Sequence, residues 1–353
     1  MKKLISRTGM KEPLKALVSR ARQVVLSRSE TSAATGRLFF TSGGQFDDEF
    51  RALASGQALF PANASRGDRG TNYFLRRAIH RLEKGLIMRP RKPSFAADYI
   101  LDTVVSLRDS APTLNQAEQQ WAHDVLVEYF GVVEKRGAIA EAAEIFTAVR
   151  PQLAVAGSKT PSVPATRAKA QSLPSFDELV SLLQYRKSTR WFKQTTVPRE
   201  LLAKAINAAA LAPTACNRQA YYYWVFDDPT LTQELAKLPM GVSGFGHNIP
   251  VLIAVVGRYR AYSHVRDRHL IYIDASLSIM AFVQALETLG LASCTINWPE
   301  IPEREKRARD AIPMESDERI IMFIAVGYPD DTGLVPHSPK QPEAVFGRFN
   351  LES

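Results

Sequence analysis

The chain has 353 residues, more than one domain usually holds, so it carries two domains or one domain with a large extension. Hydrophobic residues at 45% and charged residues at 23% lie in the ordinary range for a globular protein with a real core. The net charge of +9 fits nucleic acid, a membrane surface or anionic small molecules as partners, and two cysteines, Cys216 and Cys294, are too few for a disulfide framework. Each cysteine reads as a small buried hydrophobe. No apolar run approaches the roughly 20 residues needed to span a bilayer. No apolar region follows the basic start Met1–Arg7, so a signal peptide is rejected and a cytoplasmic location is expected.

Residues 1 to about 30 carry Lys2, Lys3, Arg7, Lys11, Lys15, Arg20, Arg22 and Arg28 against few acids. Leu14, Leu17, Val18 and Val25 recur near helical spacing, so part of this segment can form a basic amphipathic helix able to touch anionic lipid as a peripheral contact. The stripe is narrow and Thr31 to Gly44 is rich in small and polar residues, so partial disorder is expected over 1–60. From Gly70 to Arg150 the pattern is helical. Tyr73, Ile79, Leu82 and Leu86 form one stripe, and helices follow over 96–109, 115–135 and 138–149. His80 and His123 have no partner at metal-ligand spacing and are read as structural; no metal is expected. Residues 151–174 mix Pro, Gly, Ser and Thr without period, which marks a linker between a mostly helical extension, 1–150, and a second domain, 175–353.

The second domain opens with Ser175, a helix cap whose Glu178 completes a capping box, and with Leu179, Leu182 and Leu183 as an apolar face. A helix from Pro198 in its first turn runs towards Pro213, followed by a polar turn, an aromatic strand over 221–226 and a short helix over 230–238. Pro250 to Val256 reads as a buried strand, Tyr272 to Leu289 as a helix apolar nearly all round, and Ala292 to Asn297 and Arg319 to Val326 as two more strands. The irregular alternation points to an α+β fold: a mixed sheet flanked by helices, with a mostly helical N-terminal extension.

The chemistry concentrates in Tyr185 to Phe192. Arg186, Ser188 and Arg190 alternate, so an extended backbone points all three the same way. Two guanidinium forks and a hydroxyl on one spot suit a phosphate, because charge-assisted bonds to anionic oxygens are about twice as strong as neutral ones.

Five ordered motifs make residues 175–350 resemble the FMN-dependent nitroreductase superfamily. They are Arg186-Lys-Ser-Thr-Arg-Trp-Phe, Ala212-Pro-Thr-Ala-Cys-Asn-Arg-Gln, Gly290-Leu-Ala-Ser-Cys, Val326-Gly-Tyr-Pro and Lys340-Gln-Pro. The resemblance implies a nitroreductase-like, mainly antiparallel sheet and FMN as cofactor. It makes Arg186, Lys187 and Ser188 ligands near the flavin phosphate, joined by Lys340, with Arg190 nearer the pyrimidine edge of the ring. It further implies a homodimer with flavin at the interface, in which Pro213, Thr214, Ala215, Asn217 and Gln219 reach the flavin bound mainly by the partner subunit.

One departure concerns the substrate side. Many nitroreductases have a Glu-Gly pair where this chain has Asn297 and Trp298. Their backbone N–H groups remain available to the flavin, while a Trp there is expected to cover the ring or narrow the pocket. The Asn-Trp pair and His80-Arg-Leu-Glu-Lys-Gly-Leu resemble a branch often associated with polysaccharide-biosynthesis loci. The implied activity is reduction of bound flavin by NAD(P)H as co-substrate, then electron transfer to a small nitro, quinone or related acceptor in a ping-pong cycle. No side chain is expected to act as nucleophile or general base, since Ser188 lacks a His partner. The alternatives are other flavin chemistry on the same scaffold, such as dehydrogenation of a polysaccharide-related intermediate or reductive dehalogenation, and a basic surface-binding protein without redox activity. Nucleic acid is not expected as a partner, because no recognised binding motif is present.

Overall fold

The computed structural model describes residues 12–156, 161–167 and 172–350. Its N-terminal part is built from helices α1 (Glu12–Thr31), α2 (Ala33–Thr41), α3 (Asp47–Arg66), α4 (Tyr73–Leu86), α5 (Ile100–Ser110), α6 (Gln116–Val132) and α7 (Ala138–Val149). Helices thus occupy most of 12–60, where the residue pattern alone points to partial disorder, while residues 1–11 lie outside the described part. Local signals explain the difference. The Ser32 hydroxyl accepts from the Thr35 N–H to cap α2, and Asp47, Asp48 and Glu49 fill the first turn of α3, where the helix dipole favours acids.

Asn72 caps α4 by accepting from the Leu75 N–H at 3.0 Å, and the predicted stripe Tyr73, Ile79, Leu82 and Leu86 is buried. With Val104 and Leu107 of α5, Leu126 and Tyr129 of α6 and Phe146 of α7, most of it forms a core of its own. His80 and His123 pair with Glu83 and Asp124 at 3.1 and 2.8 Å.

The C-terminal part contains α8 (Phe176–Tyr185), α9 (Arg199–Ala209), β1 (Tyr221–Phe226), α10 (Pro229–Leu235), β2 (Val251–Arg258), α11 (Leu270–Thr288), β3 (Ala292–Asn297), α12 (Pro302–Ala311), β4 (Glu318–Gly327) and α13 (Glu343–Phe346). Pro198 stands at the N-cap of α9, one position ahead of the expected first turn. The four strands lie in the order β1-β2-β4-β3, and every pair is antiparallel. The expected mixed character is confined to an isolated parallel bridge between Ser188 and Ser293.

All of β2 is buried, as a strand covered on both faces requires. Val251, Ile253 and Val255 face a core with α9 and α11, while Leu252, Ala254 and Val256 face a second core with α10 and α12. Each core places one helical layer against the sheet.

Among the described residues, one helix, Val265–Thr288, is long and apolar enough to cross a membrane by length and composition, which the sequence reading missed. Its inner face, including Ile271, Ala275, Ile279, Phe282 and Leu286, is packed into the core against the sheet.

The two parts are joined by a tight and polar seam. Gly56 of α3 packs so closely on Tyr259 that a Cβ there would lie 2.5 Å from the Tyr259 Cβ. Ala52 and Tyr73 accordingly belong to the same core as β2 and α11. Beside them, Arg260 pairs with Asp68, Glu315 and Asp317, and Arg258 pairs with Glu318 at 3.0 Å. Buried guanidinium groups demand such partners, because an unpaired charge in the interior is costly.

Candidate functional site

Helix α8 delivers the chain into the basic stretch. Its capping box is complete: Glu178 N–H donates to Ser175 Oγ at 3.2 Å, and Ser175 N–H donates to the Glu178 carboxylate at 2.7 Å. That pairing holds the Glu178 carboxyl below its usual range. Arg186 ends the helix as its C-cap, after which the backbone extends. Thr189 N–H then donates to Ser293 O at 3.0 Å, and Lys193 N–H to Tyr328 O at 2.9 Å. The basic stretch is thereby fastened to the ends of β3 and β4. Gly327 permits the fit, since a Cβ there would meet Pro250 Cγ at 2.5 Å and Phe192 Cδ1 at 3.0 Å.

This placement opens a cavity of about 430 Å³. Arg186, Lys187, Ser188 and Lys340 line it together, with His337 and Ser338, and no carboxylate does. Among the described residues, Arg186, Lys187 and Lys340 have no acid within ion-pair distance. Three cations and hydroxyls facing a carboxylate-free cavity are the donor set for a phosphate dianion, and thus fit the phosphate end of FMN.

Arg190 goes elsewhere. It is exposed, its Nη1 donates to Ser188 O at 3.4 Å, and its Cζ sits 5.8 Å from the Phe245 ring centroid. The three-residue alternation thus holds only for Arg186 and Ser188, because the stretch pairs at the single Ser188–Ser293 bridge and does not continue as a regular strand.

Pro213, Thr214, Ala215, Asn217 and Gln219 form a separate cluster, a 3-10 turn over Ala215–Asn217. None of them lines the cation-rich cavity within this chain. Cys216, Asn217 and Gln219 take φ values of 54°, 53° and 53°, a left-handed conformation that non-glycine residues seldom adopt. The turn is tied down by Asp274 of α11, whose two carboxylate oxygens accept from the Ala215 N–H at 3.1 Å each. Burial pushes the Asp274 carboxyl up, opposed by that hydrogen bond, by the Tyr262 hydroxyl and by Arg218. Cys216 is only partly buried, contrary to the expectation, whereas Cys294 is buried.

At the other end of β3, Asn297 is exposed and Trp298 is 5% exposed. The indole packs at 5.5 Å, edge to face, on Phe323 and donates its N–H to Glu305. The Trp298 side chain is thus part of the core between β4 and α12, which corrects the expectation that it covers a ring or narrows a pocket.

Sequence reasoning missed Arg76, Glu118, Asp274 and Glu287. The signal for Asp274 was present: a lone acid within an apolar helix needs a partner. Glu287, near the C-terminal end of α11, has a buried Oε1 with no hydrogen-bond partner. Burial pushes its carboxyl up to about 7, although nearby Arg186 opposes the shift.

The Nitroreductase family model matches residues 183–243 and 232–328 in two overlapping segments. The chain is 23% identical over 193 residues to iodotyrosine deiodinase 1 of Sus scrofa, covering 47% of this chain and 66% of that protein, just under two thirds of its length. It is 24% identical over 158 residues to a putative NADH dehydrogenase/NAD(P)H nitroreductase of Archaeoglobus fulgidus, covering 44% and 87% of the two chains. Among solved structures, an FMN-dependent nitroreductase from Clostridium difficile R20291 aligns with a TM-score of 0.42 at 23% identity, over 48% of this chain and 98% of that one. A nitroreductase family protein from Streptococcus pneumoniae TIGR4 aligns with a TM-score of 0.43 at 23% identity, over 49% and 100%. Residues 183–328 thus carry the match to the Nitroreductase family model.

Proposed function

We propose that the protein is an FMN-dependent oxidoreductase that takes electrons from NAD(P)H and passes them to a small organic acceptor in a ping-pong cycle. The observation that carries this reading is the carboxylate-free cavity lined by Arg186, Lys187, Ser188 and Lys340 within a nitroreductase-family segment. FMN, when bound, supplies the hydride and electron transfer. The chain supplies binding and position. Arg186, Lys187 and Lys340 would neutralise the phosphate and the Ser188 hydroxyl would donate to it, while the Thr189–Ser293 bond keeps the backbone of this stretch fixed. In this reading the backbone N–H groups at Asn297 and Trp298 would face the ring, and Arg190 would lie nearer the ring than the phosphate.

The working unit in this reading is a homodimer, with the Pro213–Gln219 turn facing the flavin held by the partner subunit. Two apolar faces support it. Ile273, Leu277 and Met280 recur at helical spacing on α11 and are 51%, 46% and 43% exposed, and α8 buries none of its residues within this chain. A second reading, reductive dehalogenation on the same scaffold, is favoured by the similarity to the deiodinases.

The deciding experiment is purification of the full chain, identification of any bound chromophore by absorbance and mass, and anaerobic titration with NADH and NADPH. A yellow protein bleached by either nicotinamide, then reoxidised by a quinone or nitroaromatic, is expected. A yellow protein that either nicotinamide leaves unbleached counts against the reductase reading. A colourless protein with no uptake of added FMN overturns the whole assignment. Reoxidation by a halophenol with halide release, and by neither of the other acceptors, selects the second reading.

A further inference from the structure

The half-buried side chain of Arg76 links the N-terminal helices to the Pro213–Gln219 turn. Arg76, on α4, donates from Nε to Asn217 O at 2.8 Å and from Nη2 to Gln219 Oε1 at 3.3 Å. Its Nη1 lies 3.1 Å from Glu118 Oε2 on α6, and the two side chains are 13% and 2% exposed. Glu118 is itself fixed, since its Oε1 accepts from the Asn72 N–H at 2.9 Å and its Oε2 from the Thr71 hydroxyl at 2.8 Å. The Arg76 guanidinium therefore has an acceptor on each of its three nitrogens, and Trp121 lies 5.3 Å from its carbon. Such a planar fork is held in one orientation, which a lysine cannot reproduce.

The turn needs this support. Three of its residues hold a left-handed backbone that costs free energy for side chains other than glycine and persists only where the surroundings enforce it. Asp274 secures the N-terminal side of the turn through the Ala215 N–H. On the other side, the Gln219 N–H donates to Thr214 Oγ1 at 3.2 Å and its Nε2 to Ala210 O at 3.3 Å, both within 183–328, while the side-chain contact to Asn217 O comes from Arg76 of α4.

We propose that the helical N-terminal region supports this turn, with Arg76, fixed by Glu118, as the positioning residue that keeps Asn217 and Gln219 in their left-handed conformation. The functional value of the support rests on the reading of the turn as part of the flavin site. The support itself has a readout that needs neither flavin nor activity. Cys216 sits inside the turn and is partly exposed, whereas Cys294 is buried, so a thiol reagent reports on the turn selectively.

The experiment compares the full-length parent with Arg76→Lys, Arg76→Ala and Glu118→Gln. It follows thermal unfolding, dithionitrobenzoate labelling of each cysteine and, on added FMN, kcat and KM for the acceptor. Labelling of Cys216 is expected to rise roughly tenfold in Arg76→Ala and roughly threefold in Arg76→Lys and Glu118→Gln, with Cys294 as slow as in the parent. In flavin-loaded protein kcat falls in the same order. If Arg76→Ala does not fold, Arg76→Lys carries the test. Unchanged Cys216 labelling in folded Arg76→Lys overturns the proposal. A matching rise at Cys294 does so too, because it shows general loosening in place of a local effect. A parent that takes up no FMN sinks the flavin reading and leaves the thiol result standing on its own.

Discussion

Arg258 Nη1 donates to Tyr73 Oη at 3.0 Å, so a tyrosine from α4 accepts a hydrogen bond from a guanidinium at the end of β2. Tyr73 is 1% exposed and Arg258 is 7% exposed, so water does not substitute freely. Tyr73→Phe removes the acceptor and leaves a buried N–H unpaired, which is expected to cost about 1–3 kcal/mol. Urea unfolding of the full chain measures it. A loss below about 0.5 kcal/mol would show that the seam relaxes around the missing oxygen.

At the same seam, Gly56→Ala places a methyl 2.5 Å from Tyr259 Cβ and 2.7 Å from its carbonyl carbon. A backbone atom cannot swing away as a side-chain tip can. The better helix propensity of alanine offsets up to about 1 kcal/mol, and overpacking costs about 1–3 kcal/mol, so a net loss of stability is expected. A thermal midpoint equal to or above that of the parent would contradict the tight fit.

Glu287 sets a pH dependence. Its folded carboxyl is raised to about 7 from 4.5, chiefly by burial, so between these values the folded state binds the proton and the unfolded chain does not. Stability from this group is full below about 4.5 and is lost as pH rises through about 7. Glu287→Gln should flatten that part of the stability profile. Equal slopes for parent and variant between pH 5 and 7 would exclude Glu287 as the cause.

Arg186→Ala removes one of three cations from the carboxylate-free cavity. Flavin affinity is expected to fall by about tenfold to a hundredfold, with a weaker salt dependence than the parent shows. Fluorescence titration with FMN at two ionic strengths reads both quantities. Unchanged affinity would place the phosphate elsewhere.

Leu277→Glu puts a carboxylate in the middle of the exposed apolar face formed by Ile273, Leu277 and Met280. In a homodimer that closes over this face, the variant is expected to sediment as a monomer, or at least tenfold less tightly associated than the parent. Sedimentation of both proteins decides it, and identical dimers would move the interface off α11.

Much of the element pattern was legible because each signal was local. The Ser175/Glu178 box, the aromatic run of β1 and the apolar run of β2 all contain their own instructions, and their observed limits lie close to the expected ones. The stretch 31–44 misled because its small residues look like a loop, while the Ser32 cap and the apolar run Leu38–Phe40 allow a helix. Sheet order and the Arg258 and Arg260 pairings depend on residues far apart in the chain, which periodicity does not register.

The site divides along the same line. Arg186 and Ser188 were readable from alternation, and Lys340, about 150 residues later in the chain, only from the resemblance. Arg190 departs because the Thr189–Ser293 bond fastens the backbone at one point and leaves the next side chain free. Trp298 was misjudged because its acceptor, Glu305, stands on the next helix, α12. Arg76 carried no mark within a generally basic helix; only its distance to Asn217 distinguishes it.

The seam between α3, α4 and β2 also makes the covalent connection dispensable. A protease site introduced into residues 161–167, a described stretch outside any helix or strand, would cut the chain once and leave the contacts of Gly56, Asp68, Tyr73 and Arg76 untouched. The two fragments should then co-purify as a split protein, held by the buried seam alone. Made as separate polypeptides, they should complement each other on mixing.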